Sequence, residues 1–160
     1  MKNINIFFEK KPLKMICLGF SSGLPILLVF STLSVWLVKA GISRSTVTLF
    51  SWAGFAYAFK YLWSPLVDNY KLPIFEKFGH RRSWLLFSQF LIIIALILTA
   101  FTDPKESLFF TALFITILAF FSATQDILID AFRIESAPQS LQGPLSSMYI
   151  AGYRLSLIHI

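Results

Sequence analysis

The chain has 160 residues, of which 56% are hydrophobic, 17% aromatic and only 14% charged, with a mean hydropathy of +0.71. A soluble domain carries roughly 25% charged residues, and at this length surface grows too fast relative to volume to hide so much apolar side chain. Seven glycines, seven prolines and one cysteine exclude collagen-like, disordered and disulfide-stapled chains, and a bilayer becomes the expected solvent.

Cutting the chain at its charges gives four runs of membrane-spanning length. Residues 15–38 and 83–102 carry no charge, residues 45–67 are interrupted only by Lys60, and a fourth uncharged run covers 107–125. Each matches the roughly 20 apolar residues that cross about 30 Å of hydrocarbon as a helix. The runs are continuously apolar with no period of two, so helices are expected and barrel strands are not. The fourth span is expected to extend to 130. A fifth, incomplete span is expected over 144–154, within a stretch broken by Pro138 and Pro144 and closed by Arg154. The first run is too long for the core of a signal peptide, and no clear small-x-small cleavage pattern follows it.

The connections set the orientation. Lys2, Lys10, Lys11 and Lys14 precede the first span, and Lys71, Lys77, Arg81 and Arg82 lie between the second and third. Only Lys39, Arg44 and Lys105 fall on the other side. Eight basic residues against three predict a cytoplasmic N-terminal tail (1–14) and a cytoplasmic second connection. The net charge of +6 is then topological and calls for no nucleic acid.

Ionisable groups among lipid-facing helices are costly, so function is sought there. Asp126, Asp130 and Arg133 are spaced four and three and share one helical face, with Gln125 one position round. Two readings stand. One is a solvated helix end with intrahelical pairing; the other is a polar face that lines a water-filled path or locks a cytoplasmic gate. Gly19 and Gly23 form a small-xxx-small pair that allows close helix approach. Pro25 frees the carbonyl of Ser21, and the Ser21 and Ser22 hydroxyls are expected to re-satisfy backbone groups. That segment reads equally as plain packing or as a moving, cavity-lining helix. Lys60 is expected to snorkel to the interface beside Tyr61 and Trp63. Cys17 is expected to be an inert apolar side chain, and His80 a loop residue. No phosphate loop, Cys/His metal spacing or nucleophile elbow occurs. Asp126 and Asp130 also imitate the Mg²⁺ site of a membrane phospho- or prenyl-transferase, the least favoured alternative, because such sites gather more oxygen ligands and only Asp68, Asn69 and Glu135 lie on the correct side to help. Neither a cofactor nor a metal is expected.

These residues resemble the major facilitator superfamily. Asp68, then Gly79-His80-Arg81-Arg82 opening the third span, is similar to that superfamily's loop of an acid, a glycine and basic residues, although ten residues separate Asp68 from Gly79 and the common loop is much shorter. GFSSGLP from Gly19, FKYLWSPLVD from Phe59, SATQDILIDAFR from Ser122 and AGYR from Ala151 resemble the AmpG-type muropeptide permeases. The Asp-Ile-x-x-Asp segment is shared with the acetyl-CoA transporter family.

The resemblance implies an all-α, multi-pass protein of a bacterial inner membrane that imports anhydromuropeptides with protons, not an enzyme. It implies a substrate and proton pathway through Gly19, Gly23, Ala123, Gln125, Asp126 and Asp130, and a cytoplasmic gate relay of Asp68, Arg81, Arg82 and Arg133. Asp126, nearer mid-bilayer, is the better proton candidate. Transport of another solute, acetyl-CoA-like or otherwise, is the alternative. Transporters of this class have twelve or more spans, so the chain is expected to be the N-terminal part of such a bundle, its partners being substrate, protons, lipid and a missing C-terminal half. Residues 155–160 (LSLIHI) resemble a translated sequencing adapter and are expected to be a non-native tail.

Overall fold

The computed structural model describes residues 7, 10–70, 72 and 79–159, and among them every regular element is helical. Helix α1 (Lys10–Lys39) is continuous, with a π-helical turn at Leu28–Thr32. Three short helices follow, α2 (Arg44–Leu49), α3 (Gly54–Ala58) and α4 (Ser64–Asn69), joined by 3₁₀ turns at Phe50–Ala53 and Lys60–Leu62. Next come α5 (His80–Phe101), α6 (Leu108–Ser136) and α7 (Gln142–His159).

Three of these, α1, α5 and α6, are long and apolar enough to cross a membrane. Their outward faces carry large apolar side chains, with Phe101 88% and Phe109 73% exposed, as lipid-facing surfaces do. Residues 45–67, expected as one regular span, are instead broken. Phe59 and Trp63 both adopt φ near −100° with ψ near zero, which interrupts α-helical bonding. The fourth run extends beyond 130 to Ser136, because its charged end finds partners. The fifth element is longer than the expected 144–154. Pro138 stands just past the end of α6, Pro144 sits in the first turn of α7 where its missing N–H costs nothing, and the helix continues to His159. Gln142 joins the two helices by donating its amide hydrogens to the carbonyls of Ile134 (3.1 Å) and Ala137 (2.9 Å), at the end of α6.

Pro25 lies inside α1, and the π turn begins three residues later. Loss of the Pro25 N–H removes one ladder bond, and a π turn is a common place for a helix to absorb that defect. The buried residues of the first half of α1, Met15, Gly19, Ser22 and Gly23, recur at helical spacing. They face α7, where Gly19 meets the Tyr149 carbonyl and Gly152 meets the Ile16 carbonyl so closely that neither site has room for a Cβ. The helices α5 and α6 form an antiparallel hairpin. Two clusters fill the interior: Val29, Leu33, Leu37, Ile92 and Leu118 at one end, and Val67, Trp84 and Leu128 at the other.

Gly79 opens α5 at φ +86° and ψ 156°, a region essentially restricted to glycine. Its carbonyl accepts from both the amide (3.0 Å) and the hydroxyl (2.8 Å) of Ser83. Gly79→Ala is expected to destabilise the chain by about 1–3 kcal/mol through backbone strain, because the space around Gly79 is open and no clash adds to it. The thermal unfolding midpoint in detergent measures this, and an unchanged midpoint would contradict the strain.

Candidate polar site within the bundle

Asp126 sits on α6, its side chain only 14% exposed. The Ser22 hydroxyl of α1 donates to Asp126 Oδ1. Ser22 Oγ also lies 3.0 Å from the Tyr149 hydroxyl of α7. Ser22 has one hydrogen and gives it to the carboxylate, so Tyr149 must be the donor in the second bond. A chain of hydroxyls therefore runs from α7 through α1 to the carboxylate on α6. Lys60 Nζ approaches Asp126 Oδ2 at 3.8 Å, so this lysine pairs inside the bundle instead of snorkelling. The break in the helix explains the difference. The turn at Lys60–Leu62 aims Lys60 and Trp63 at α6, where Trp63 Nε1 donates to Thr124 Oγ1 at 3.1 Å.

The neighbours of Asp126 are also engaged. Gln125, 1% exposed, donates to Ser21 Oγ at 3.2 Å. Ser21 and Ser22, expected to serve the backbone freed by Pro25, thus serve the side chains of α6. Ala123 is fully buried and leaves room for this approach. Gly19 and Gly23 lie against α7, so the structure places them in packing contacts. The Tyr57 and Ser122 hydroxyls are buried near one another without completing a hydrogen bond.

Trp63→Phe removes a neutral donor, with Thr124 keeping its own bond to the Phe120 carbonyl at 2.8 Å, and also trims the ring that packs against Phe120 with centroids 4.7 Å apart. A loss of about 1–2 kcal/mol is expected. A thermal-shift measurement showing a loss several times larger would mean that Trp63 does more than orient Thr124 and pack on Phe120.

A second group of charges lies at the end of the bundle that carries the N-terminal residues. Arg81 of α5 bonds Asp68 of α4 through Nη1, and Glu135 of α6 through Nη2 (2.9 Å) and Nε (3.1 Å). One guanidinium therefore ties three helices together by charge-assisted bonds. Of the four residues expected to act together here, Asp68 and Arg81 meet. Arg133 does not join them, because residues 133 and 135 point about 200° apart around a helix. It pairs instead with Asp130 at 3.2 Å and lies 5.7 Å over the Tyr149 ring. Arg82, one position round from Arg81, has no ion-pair partner among the described residues. Asp130 is thus paired within its own helix, whereas Asp126 reaches two others.

Sequence reasoning missed Tyr149 and Glu135 as site residues. Tyr149 lies in an uncharged stretch that offers no polar spacing to notice. Glu135 lies in the last turn of α6, where a solvated acid is unremarkable.

The family whose model matches residues 13–112 is described as Acetyl-coenzyme A transporter 1. A putative transporter, AmpG 4, of Rickettsia felis is 41% identical over 96% of this chain and 37% of its own length. AmpG 4 of Rickettsia conorii is 37% identical over 99% of this chain and 38% of its own. The anhydromuropeptide permease of Escherichia coli K12 is 38% identical over 97% of this chain and 31% of its own. The chain spans about a third of the length of these curated relatives.

Proposed function

This chain belongs to the transporter family described as acetyl-coenzyme A transporter 1, and on that premise we propose that it forms part of a proton-coupled importer of anhydromuropeptides. Its relatives are transporters and permeases by name, and it too is a transporter protein, not an enzyme. The observation that carries the reading is the carboxylate of Asp126, held inside an apolar bundle by Ser22 of α1 and Lys60 of the broken segment. An ionisable group at that depth is costly and is kept where ions or substrates pass. Asp126 is the proton carrier in this proposal. Lys60 is its counter-ion, and the hydroxyls of Ser22 and Tyr149 connect it to α7.

The surrounding architecture is, in this proposal, the N-terminal part of a major facilitator bundle in a bacterial inner membrane: four crossing segments and α7 as a fifth, with the N-terminus cytoplasmic. The second segment in chain order is the broken one, which is tolerated at membrane depth where it faces protein or a water-filled path. Glu135–Arg81–Asp68 is a latch at the cytoplasmic end that opens when α4, α5 and α6 separate. Enclosing a central path needs more helices than this chain supplies, and the remaining two-thirds of its relatives' length would provide them. The name of the Escherichia coli relative, an anhydromuropeptide permease, favours a muropeptide over an acetyl-CoA-like solute.

The test is uptake of labelled anhydromuropeptide by cells that lack their own permease and express the complete coding sequence containing these residues. Accumulation that a protonophore abolishes is expected. Accumulation that survives the protonophore would remove the proton coupling, and transport of acetyl-CoA without muropeptide would replace the substrate.

A further inference from the structure

A basic cavity of about 410 Å³ opens at the N-terminal end of the bundle, between α1, the start of α5 and the end of α6. Lys11, Lys14, His80 and Arg82 line it, together with Arg81 and Glu135. The last two are spent on each other and on Asp68. Lys11 donates to the Ser136 carbonyl at 2.9 Å, which is neutral and leaves the ammonium charge uncancelled. Neither Lys14 nor Arg82 has a carboxylate partner among the described residues. Both ring nitrogens of His80 are buried there without a hydrogen-bond partner. Among the described residues, three cations without a carboxylate partner and an imidazole without a hydrogen-bond partner thus face one cavity. The three cations are solvent-exposed, so the patch draws an anion by its positive field, and of these groups only the imidazole is buried without a hydrogen-bond partner.

The cavity continues into a groove of about 390 Å³ that shares Lys14, Arg81, Arg82 and Phe132 with it. Its other walls are apolar, formed by Leu18, Leu85 and Leu128 beside Cys17. A cationic pocket joined to an apolar groove between long lipid-exposed helices matches a molecule with an anionic phosphate head and a hydrocarbon tail. A free phosphate would use the first part and leave the second without purpose.

We infer that this cavity and groove bind an anionic phospholipid, the phosphate seated among Lys11, Lys14, His80 and Arg82 and an acyl chain lying along Leu18, Leu85 and Phe132. The occupied site would cross-link α1 to α5 beside the Arg81 ion pairs, and so would brace that end of the bundle. The inference needs the chain to lie in a bilayer but does not depend on what the protein transports.

Native mass spectrometry of the purified chain tests it, with phosphatidylglycerol or phosphatidylcholine added and with inorganic phosphate as competitor. Retention of phosphatidylglycerol at least about fivefold above phosphatidylcholine is expected, and millimolar phosphate should leave it in place. A Lys14→Gln/Arg82→Gln variant should lose the preference. A Lys39→Gln/Arg44→Gln variant, with the same charge removed from the other end, should keep it. Equal retention of the two lipids, an undiminished preference in the first variant or an equal loss in the second would overturn the site. Displacement by phosphate would overturn the lipid as its occupant and point to a soluble anion.

Discussion

Asp126→Asn is expected to cut muropeptide uptake by roughly tenfold or more while leaving the protein folded and in the membrane. The substitution keeps the shape and one carbonyl oxygen, so Ser22 still has an acceptor, but it removes the charge that Lys60 faces at 3.8 Å. A hydrogen bond to a charged group is worth about 1.5–3 kcal/mol, and each 1.4 kcal/mol is a factor of ten. The change also removes a site that can accept and release a proton, which in the proposed cycle no neighbour replaces, since Asp130 is already paired to Arg133 within α6. Lys60→Gln leaves the carboxylate without its counter-ion and is expected to slow uptake less. The measurement is the initial rate at matched protein level. Uptake by Asp126→Asn equal to that of the unaltered protein would end the assignment of Asp126, and a Gln125→Ala variant with unaltered uptake would confine the polar path to the Asp126 side.

Gly152→Val should separate α7 from α1. A side chain at that position would occupy the space of the Ile16 main chain, and main chain cannot swing aside as a flexible side-chain end does. Overpacking typically costs 1–3 kcal/mol and occasionally more; with backbone on the far side, the upper end is expected. Because Tyr149 and Ser22 face each other across the same seam, the loss should reach Asp126 as well as the seam itself. Gly143→Ala on the same helix is the control, since nothing lies within reach of an added Cβ there. Thermal unfolding in detergent compares them. Equal midpoints for Gly152→Val and Gly143→Ala would mean that the two helices do not pack as closely as described.

The apolar helices were legible because one quantity, the cost of placing a charge in hydrocarbon, sets their limits. The charge-free run 15–38 falls within α1, and 83–102 overruns α5 by only one residue. The run that failed as a regular helix, 45–67, is the one interrupted by Lys60 and is less apolar than the others; that weakness hints at a departure from a plain span but does not show that the backbone leaves the α-helix at Phe59 and Trp63. The spacing of Asp126, Asp130 and Arg133 showed a shared face, and the i, i+3 pair between Asp130 and Arg133 follows from it. The partners of Asp126 do not. Ser22 is 104 positions away, and only the packed bundle brings it near. The same holds for Glu135, which meets Arg81 across 54 positions. Lys60 shows the limit most clearly, since a long side chain two turns from a helix end can reach water or a buried acid, and the local bend decides.

The interrupted stretch 44–69 also bears on how the molecule is made. During synthesis α1, α5 and α6 each complete their own main-chain bonding and can leave the translocon sideways as finished rods. The stretch with turns at Phe50–Ala53 and Lys60–Leu62 cannot, and its lysine would enter the lipid phase before the acid that neutralises it has been translated. Its insertion is therefore expected to wait for α6 to emerge, which makes membrane assembly of this protein a cooperative event spanning more than sixty residues of nascent chain.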